Sequence, residues 1–282
     1  MSAYRFCRTD DIALLVDALN RCWAPYYPDE PPMTPAGFKR WIRDLQVWCS
    51  SCMVAFSGSD PIGVLIGAKR PSGTLVHKIA VHPDHRRQGH GRHLLASLSS
   101  KLAILGPPRM IAEVPETLAP ACGLFSASGY VQESVLTDYV LQPESDAREA
   151  DHDGRFVIPV TVEDLAANGV LGESDPQVCW ERSVETMAAR KDEIAGLAVA
   201  SDEQIEAYVL YVQGGEIVAL RSLIEDGGSR LTQLLVHLRG RGVTASRLPK
   251  VHPAEFSREC LETLVFRPAG GHLRYAAKAR SG

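Results

Sequence analysis

The residues whose types and spacing most clearly indicate chemistry lie between Ile79 and Leu95. An apolar run ends at Val81, and Pro83 stops the strand that this run predicts. Two closely spaced glycines follow, and they allow the backbone to bend so that several N–H groups point to one place. A helix is predicted directly behind them, and its free N-terminal N–H groups favour an anion. Three arginines add positive charge to this predicted phosphate-binding loop: Arg86, Arg87 and Arg92.

Two common phosphate loops do not match the segment. A Walker loop requires lysine and then serine or threonine after its last glycine, whereas Arg92 and His93 follow Gly91. A dinucleotide-binding loop requires a further glycine three residues after Gly91, where Leu94 lies. Neither a nucleoside triphosphate nor a dinucleotide is therefore the expected ligand.

The segment instead resembles the acyl-CoA loop of the GCN5-related N-acetyltransferases (GNAT family). That loop has Gln or Arg, two residues, Gly, one residue, then Gly or Ala, and it follows a strand that often ends in Val-x-Pro. Arg86, Gly89 and Gly91 occupy the fixed positions here, behind Val-His-Pro. The resemblance covers residues 4–141. It implies a GNAT acyltransferase fold, and an acetyl group moved from acetyl-CoA to an amine by direct attack in a ternary complex, without a metal.

The same resemblance implies how the coenzyme is held. Backbone groups of Ile79 and Val81 would pair with the pantetheine arm like an added strand, and the Val81 N–H would face the thioester oxygen. The N–H groups from Arg87 to Arg92 would hold the pyrophosphate. The residues expected to contact acetyl-CoA are Ile79, Ala80, Val81, Arg86, Arg87, Gln88, Gly89, His90, Gly91, Arg92 and Phe125.

His77 is the first candidate for the general base. It precedes Ile79 and Val81 by two and four residues, so strand alternation puts all three on one face, and imidazole titrates near neutral pH. Its placement resembles a histidine of the serotonin N-acetyltransferase branch of the family. A histidine that merely packs on the sheet is the alternative. Glu113, at the end of the next strand, is the second candidate base, with a solvated carboxylate as its alternative.

The tyrosine that serves as general acid in the family is missing. Counting back along the family's helix pattern from Gly129 gives Leu118, Ala121 and Phe125, where the pattern has Asn, Ala and Tyr. Phe125 would still provide an apolar wall for the acyl arm, but it cannot donate a proton. Three alternatives follow: the thiolate leaves without an acid and turnover is slower, another tyrosine replaces it, or the protein is a non-catalytic acyl-CoA-binding or regulatory member. The tyrosines considered are Tyr26, Tyr27 and Tyr139.

Acceptor recognition in this family usually involves the first two helices and the loop between them. Here that loop, Cys22 to Met33, is aromatic, rich in proline and acidic, which suits a small molecule that carries an amine. Packing of the aromatic side chains in the core is the alternative. The expected acceptor-binding residues are Trp23, Tyr26, Tyr27 and Glu30.

These residues require a mixed α/β framework in which a strand feeds a helix through a glycine-containing loop. Residues 1–143 are predicted to form the GNAT domain, 144–154 a polar linker, and 155–282 a degenerate GNAT-like domain produced by internal duplication. The duplication places Gly228 at the position of Gly91. Glu225 and Asp226 replace the arginines there, and carboxylates repel a pyrophosphate. The second domain is therefore expected not to bind CoA, and instead to complete the acceptor pocket or to mediate a homodimer.

Composition limits the class of protein. The chain has 282 residues, of which 45% are hydrophobic, and a formal net charge of −4, so a general nucleic-acid binder is not expected. No apolar run approaches the roughly 18 residues of a membrane span. Seven irregularly spaced cysteines favour a reducing compartment, and the expected location is the cytoplasm, with no membrane or nucleic-acid partner.

Overall fold

The computed structural model describes residues 2–142, 156–172, 175–243 and 246–280. The predicted linker, 144–154, lies outside the described residues. The chain forms two compact units, and their bounds differ from the predicted domains because the end of the chain joins the first unit: Met1–Ser134 with Leu273–Gly282, and Val135–His272.

Helices and strands are interspersed along the chain, as expected for the predicted mixed α/β fold. The first half contains β1 (Ser2–Phe6), α1 (Ile12–Cys22), α2 (Pro35–Leu45), β2 (Met53–Ser57), β3 (Asp60–Arg70), β4 (Gly73–Val81), α3 (His90–Leu105), β5 (Arg109–Pro115), α4 (Ala119–Ala127) and β6 (Val131–Leu141). The second half contains β7 (Phe156–Val160), α5 (Val162–Ala167), α6 (Val184–Ala189), β8 (Ile194–Ala200), β9 (Ile205–Val212), β10 (Ile217–Ser222), α7 (Ser229–Gly240), β11 (Arg247–Val251), α8 (Arg258–Thr263) and β12 (Phe266–Lys278).

The first unit is built on a sheet with the strand order β1-β2-β3-β4-β5-β12. Neighbours from β1 to β4 are antiparallel, whereas β4 and β5 are parallel. Most residues of β3 and of the first half of β4 are buried, as the apolar runs predict for central strands. The leucine stripe of α3 packs on this sheet together with Phe125 of α4. The buried leucines of α3 are Leu94, Leu95, Leu98 and Leu102.

The end of β12 belongs to the core of the first unit. Tyr275 and Ala279 are buried in the same cluster as the α3 leucines, and the Ala279 N–H donates to the Pro108 carbonyl at 2.5 Å. No local pattern in this segment indicates which core its side chains join. That is why the sequence assigned these residues to the second domain.

The second unit contains the antiparallel sheet β10-β9-β8-β7, and α7 packs on one of its faces. Helices α5 and α6 belong to another apolar cluster, which includes Tyr208 and Leu210 of β9. Strand β11 pairs with the end of β6, where Leu248 lies opposite Tyr139. Among the described residues, no helix combines the length and apolar character that a bilayer span requires.

Helices α3 and α7 begin in the same way. A glycine with left-handed backbone angles precedes each helix: Gly89 has φ 86° and Gly228 has φ 88°. The two units therefore share the strand–loop–helix arrangement. The structural counterpart of Gly228 is Gly89 and not Gly91, so the predicted alignment of the repeats is shifted by two residues.

Candidate active site

The end of β4 presents a backbone edge that neither neighbouring strand pairs. Ile79 and Val81 lie opposite Leu65 and Gly63 of β3, and the next N–H, of His82, donates to the Ile62 carbonyl at 2.9 Å. Hydrogen-bonded and non-hydrogen-bonded pairs alternate in an antiparallel ladder. Ile79 and Val81 are therefore at non-hydrogen-bonded positions, and their N–H and C=O groups face away from β3.

On that opposite side, β5 pairs with β4 at the beginning of both strands. The register joins Thr74 to Met110 and Leu75 to Ile111, and the pairing ends before Ile79 is reached. The backbone groups of Ile79 and Val81 thus point into the space between two diverging strands, where an extended amide-containing ligand can add as a strand. Ala80 differs, because its backbone groups face Val64 of β3. Its expected main-chain contact with the coenzyme is not supported.

The loop behind β4 directs its N–H groups toward the start of α3. Arg87 and Gly89 both have positive φ, at 60° and 86°, and successive turns of this kind form an anion-binding concavity. Space around Gly89 is open, so its glycine is required by the backbone angle rather than by a neighbour. At Gly91 a neighbour favours glycine, because a Cβ there would lie 3.1 Å from Leu124 of α4. The exposed polar side chains of the loop are Arg86, Arg87, Gln88 and Arg92.

His90 is turned into the protein. A hydrogen bond of 2.6 Å joins its Nδ1 to the Tyr4 hydroxyl of β1, and the ring is buried. Burial lowers the pKa of His90 below its usual value, and the neighbouring His85 and His93 act in the same direction. The imidazole therefore supports the loop, and the group that His90 can offer to an anion is its backbone N–H.

His77 sits at a β-bulge. The register passes from Ile66 opposite Lys78 to Gly67 opposite Val76, so His77 is the extra residue of β4. Its ring packs edge-on against Trp41 of α2, with 4.7 Å between ring centroids.

The bulge changes which residues share a face of β4. Lys78 Nζ lies over the ring of Trp23, behind α1, while Ile79 packs against the α3 cluster. The expectation that His77, Ile79 and Val81 share one face is wrong. His77 instead contacts Trp41 of α2, and Lys78 contacts Trp23 in the loop behind α1.

Glu113 lies on β5, beside the same gap between the diverging strands, and is partly buried. It is two residues from the end of its strand. Glu113 therefore remains the second candidate for the base, across the gap from His77.

Phe125 has its ring enclosed in the core of the first unit. It is stacked on Tyr275 with 5.9 Å between centroids and meets Tyr130 edge-on at 5.1 Å. Only 2% of its surface is exposed. These contacts describe a packing residue, and its contact with an acyl arm stays a prediction. Tyr130 is not placed to take over as the acid, because its hydroxyl is buried in the core and donates to the Met110 sulfur.

Tyr26 is the tyrosine that reaches the end of β4. Its hydroxyl donates to the Val81 carbonyl at 2.6 Å. Burial raises the pKa of Tyr26, and the Arg86 guanidinium, 5.6 Å from the ring centroid, opposes this shift. Tyr139, another candidate from the sequence, belongs to the core of the second unit.

A small cleft with a cavity volume of about 70 Å³ opens between α1, the loop behind it, α2 and β4. The loop is held by Asn20, which accepts from the Met33 N–H at 2.7 Å and donates to the Met33 carbonyl at 3.0 Å. Three of the four predicted acceptor residues line this cleft, and Tyr26 is the exception. Among the other lining residues, sequence reasoning did not single out Met33, Trp41 and Lys78. The six that matter are Trp23, Tyr27, Glu30, Met33, Trp41 and Lys78.

In the corresponding loop of the second unit, the side chain of Asp226 occupies the position where an anion would bind. The Asp226 carboxylate accepts from the Gly228 N–H at 3.0 Å and from the Arg230 N–H at 2.7 Å. Arg230 in turn forms a buried ion pair with Glu206. The N–H groups at the start of α7 are therefore satisfied by a carboxylate of the chain itself.

Comparison with known proteins agrees with this geometry. Residues 12–130 match the model of the acetyltransferase (GNAT) family. A tandem GNAT protein from the clavulanic acid biosynthesis pathway is similar over the full length of both chains, at 17% identity and a TM-score of 0.67. A GCN5-related N-acetyltransferase from Sphaerobacter thermophilus is 13% identical, with 100% of this chain and 96% of that chain covered and a TM-score of 0.66. One from Kribbella flavida is 12% identical, with 99% and 71% covered and a TM-score of 0.66.

Proposed function

We propose that the first unit, most of which matches the GNAT family model, transfers an acetyl group from acetyl-CoA to the amine of a small-molecule acceptor; the similarity of the whole chain to a tandem GNAT protein in fold supports this. The amine attacks directly within a ternary complex, and no covalent enzyme intermediate forms. The observation that carries the proposal is the backbone edge of Ile79 and Val81 that neither β3 nor β5 pairs, immediately before a helix start suited to an anion. The proposed setting is the cytoplasm.

Acetyl-CoA supplies an activated acyl group, and the residues of the first unit fit its parts. The outward N–H and C=O groups of Ile79 and the outward N–H of Val81 match the amides of the pantetheine arm, while the Val81 C=O accepts from Tyr26. The N–H groups from Arg87 to Arg92 match the pyrophosphate, and the exposed arginine side chains add positive charge. The Val81 N–H would stabilise negative charge on the thioester oxygen.

We assign His77 as the base that removes the proton from the acceptor amine. It contacts Trp41, which lines the acceptor cleft, and it precedes the Ile79 edge by two residues. An imidazole base is effective near neutral pH. Glu113, across the gap on β5, is the alternative base.

Tyr26 is the proposed acid for the departing thiolate. Its hydroxyl is at the Val81 carbonyl, on the edge where the thioester would lie, and its raised pKa keeps it protonated at neutral pH. It would replace the hydroxyl that Phe125 lacks. The second unit has no part in CoA binding in this proposal, because Asp226 occupies the N–H groups at the start of α7.

A non-catalytic acyl-CoA-binding protein is the second candidate, and the enclosed ring of Phe125 favours it. Calorimetric titration with acetyl-CoA and a thiol-release assay over a panel of amines separate the two. The enzyme requires binding and an amine-dependent release of CoA. Binding of acetyl-CoA with no release by any amine of the panel would favour the second candidate.

A further inference from the structure

Several histidines lie around the start of α3. The ring of His85 lies 6.0 Å from that of His82 and 6.5 Å from that of His90, measured between centroids. Tyr4 of β1, which is bonded to His90, has its ring 3.8 Å from the ring of His93. Imidazole titrates near neutral pH. The segment proposed to hold the pyrophosphate of acetyl-CoA is therefore surrounded by groups whose charge can change in that range.

His90 is the buried member of this group. Only 5% of its surface is exposed, and a hydrogen bond of 2.6 Å joins its Nδ1 to the Tyr4 hydroxyl. Its Nε2 is also buried and has no hydrogen-bond partner within the part of the chain that the structure describes. A tyrosine hydroxyl can donate to a neutral imidazole or accept from a protonated one. The bond to Tyr4 is therefore compatible with both charge states of His90.

The surroundings of His90 oppose its protonation in the free protein. The titratable groups that face its ring are Tyr4 from β1, His85 from the loop and His93 from α3 itself. Burial lowers the pKa of His90 most, and the two neighbouring histidines lower it further. His90 is also the first residue of α3, where the helix dipole disfavours a positive charge. The carboxylate of the loop, Asp84, lies 3.7 Å from a different histidine.

A bound pyrophosphate would reverse this balance. The His90 N–H is one of the groups at the start of α3 that are proposed to hold it, and the imidazole belongs to the same residue. A protonated ring and the pyrophosphate would therefore attract each other over a short distance, in surroundings less polar than water. A neighbouring negative charge favours the protonated form of an imidazole, so bound coenzyme raises the pKa of His90. Because coupling between two ligands is reciprocal, a proton on His90 strengthens coenzyme binding by the same factor.

We propose that His90 takes up a proton when acetyl-CoA binds, so that the affinity for the coenzyme increases as the pH falls. This rests on the proposed function and adds a regulation of its coenzyme site. At high pH the ring is neutral with or without the coenzyme, and the affinity is constant. The gain begins as the pH falls through the pKa of His90 in the complex, and it is complete below the pKa in the free protein.

Calorimetric titration of the full chain with acetyl-CoA measures this coupling. Titrations in two buffers that differ in ionisation enthalpy give the number of protons taken up, and the dissociation constant is followed from about pH 7.5 to about pH 5.5, on either side of the ordinary histidine pKa. We expect the gain in affinity of the wild type to exceed that of His90→Asn by about tenfold, the effect of one attraction between close charges. The phosphates of the coenzyme are present in both titrations, so the comparison isolates His90.

His93→Asn is the matched control, because His93 is exposed and its ring contacts the same tyrosine. This variant should keep the proton uptake. Tyr4→Phe keeps the aromatic ring but removes the hydroxyl that accepts from the protonated imidazole, so the uptake should move to lower pH. Urea denaturation at pH 7.5 verifies that each variant is folded, and if His90→Asn is not, the shift in Tyr4→Phe decides.

Failure of the inference and failure of the proposed function give different results. Equal proton uptake in the wild type and His90→Asn, loss of it in His93→Asn instead, or no shift in Tyr4→Phe would overturn the inference and leave the transferase. Uptake that depends on His90, without release of CoA by any amine, would support the inference and count against the transferase. No binding of acetyl-CoA would overturn both.

Discussion

The Tyr26 hydroxyl donates a 2.6 Å hydrogen bond to the backbone carbonyl of Val81, the last residue of β4. Val81 is also one of the two residues whose backbone groups face the gap between β4 and β5. The loop that forms the acceptor cleft is thus tied to the strand edge that is proposed to bind the coenzyme. This contact puts a hydroxyl group at that edge, whereas Phe125, which replaces the expected tyrosine, is enclosed in the core.

Tyr26→Phe is expected to lower kcat by about 10²-fold, because general acid catalysis contributes at least that factor. The affinity for acetyl-CoA should not weaken, since the variant leaves the backbone of Val81 free to bind a ligand. Thiol release measures kcat, and calorimetry measures the affinity. Tyr139→Phe, in the second unit, is the control and should leave kcat unchanged. An unchanged kcat in Tyr26→Phe would exclude it as the acid.

His77→Gln and Glu113→Gln distinguish the two candidate bases. The base must be neutral to accept a proton, so wild-type kcat/KM should fall as the pH drops through the pKa of the base. His77→Gln should lower kcat by about 10²- to 10⁴-fold and remove this acidic limb. Glu113→Gln should keep both the rate and the limb. The opposite pattern in the pH profiles would assign the role to Glu113.

Gly89→Ala is expected to lower the free energy of unfolding by about 1 kcal/mol, because φ at this position is 86°. It should also weaken acetyl-CoA binding, since relief of the strain turns the loop N–H groups away. Gly58→Ala is a matched control, because Gly58 has φ 62° and open space around it in the turn after β2. That variant should lose similar stability in urea denaturation and bind acetyl-CoA as the wild type does. An equal loss of affinity in both variants would contradict the anion-binding role of the Gly89 loop.

The depressed pKa of His90 makes stability depend on pH in a defined direction. The unfolded chain gains a proton on this histidine at a higher pH than the folded protein does, so stability is lost as the pH falls from about 6.5 toward the folded-state pKa. Denaturation of the wild type between pH 7 and pH 5 should show this loss, and His90→Asn should reduce it. Identical pH dependence in the two proteins would mean that His90 is not held neutral by its burial beside Tyr4.

Local signals in the sequence predict the loop and several elements well. The bounds of α2 follow from Thr34, whose side chain accepts from the Gly37 N–H at 3.0 Å, and from Pro35 as the first helical residue. Gly89 and the leucines behind it predict the start and the buried face of α3. The start of a helix and its buried face depend on residues that are close together in the sequence, so local patterns predict them.

The bulge at His77 has no comparable signal. It depends on the register between β3 and β4, and it lies opposite Gly67, where a Cβ would be 2.5 Å from the Ser51 carbonyl oxygen. Strict alternation puts Lys78 on the opposite face from His77, which is why Lys78 and its contact with Trp23 were not predicted. The core that covers Tyr275 is likewise decided by contacts between residues distant in the chain.

Hydrogen–deuterium exchange of the full chain with saturating acetyl-CoA tests the central claim most directly. We expect slower exchange of the amides of Ile79, Val81 and residues 87–92. We expect no change at residues 223–230, where the Asp226 carboxylate already accepts from the N–H groups at the start of α7. Protection at 223–230 with none at 87–92, or no protection in either loop, would contradict it.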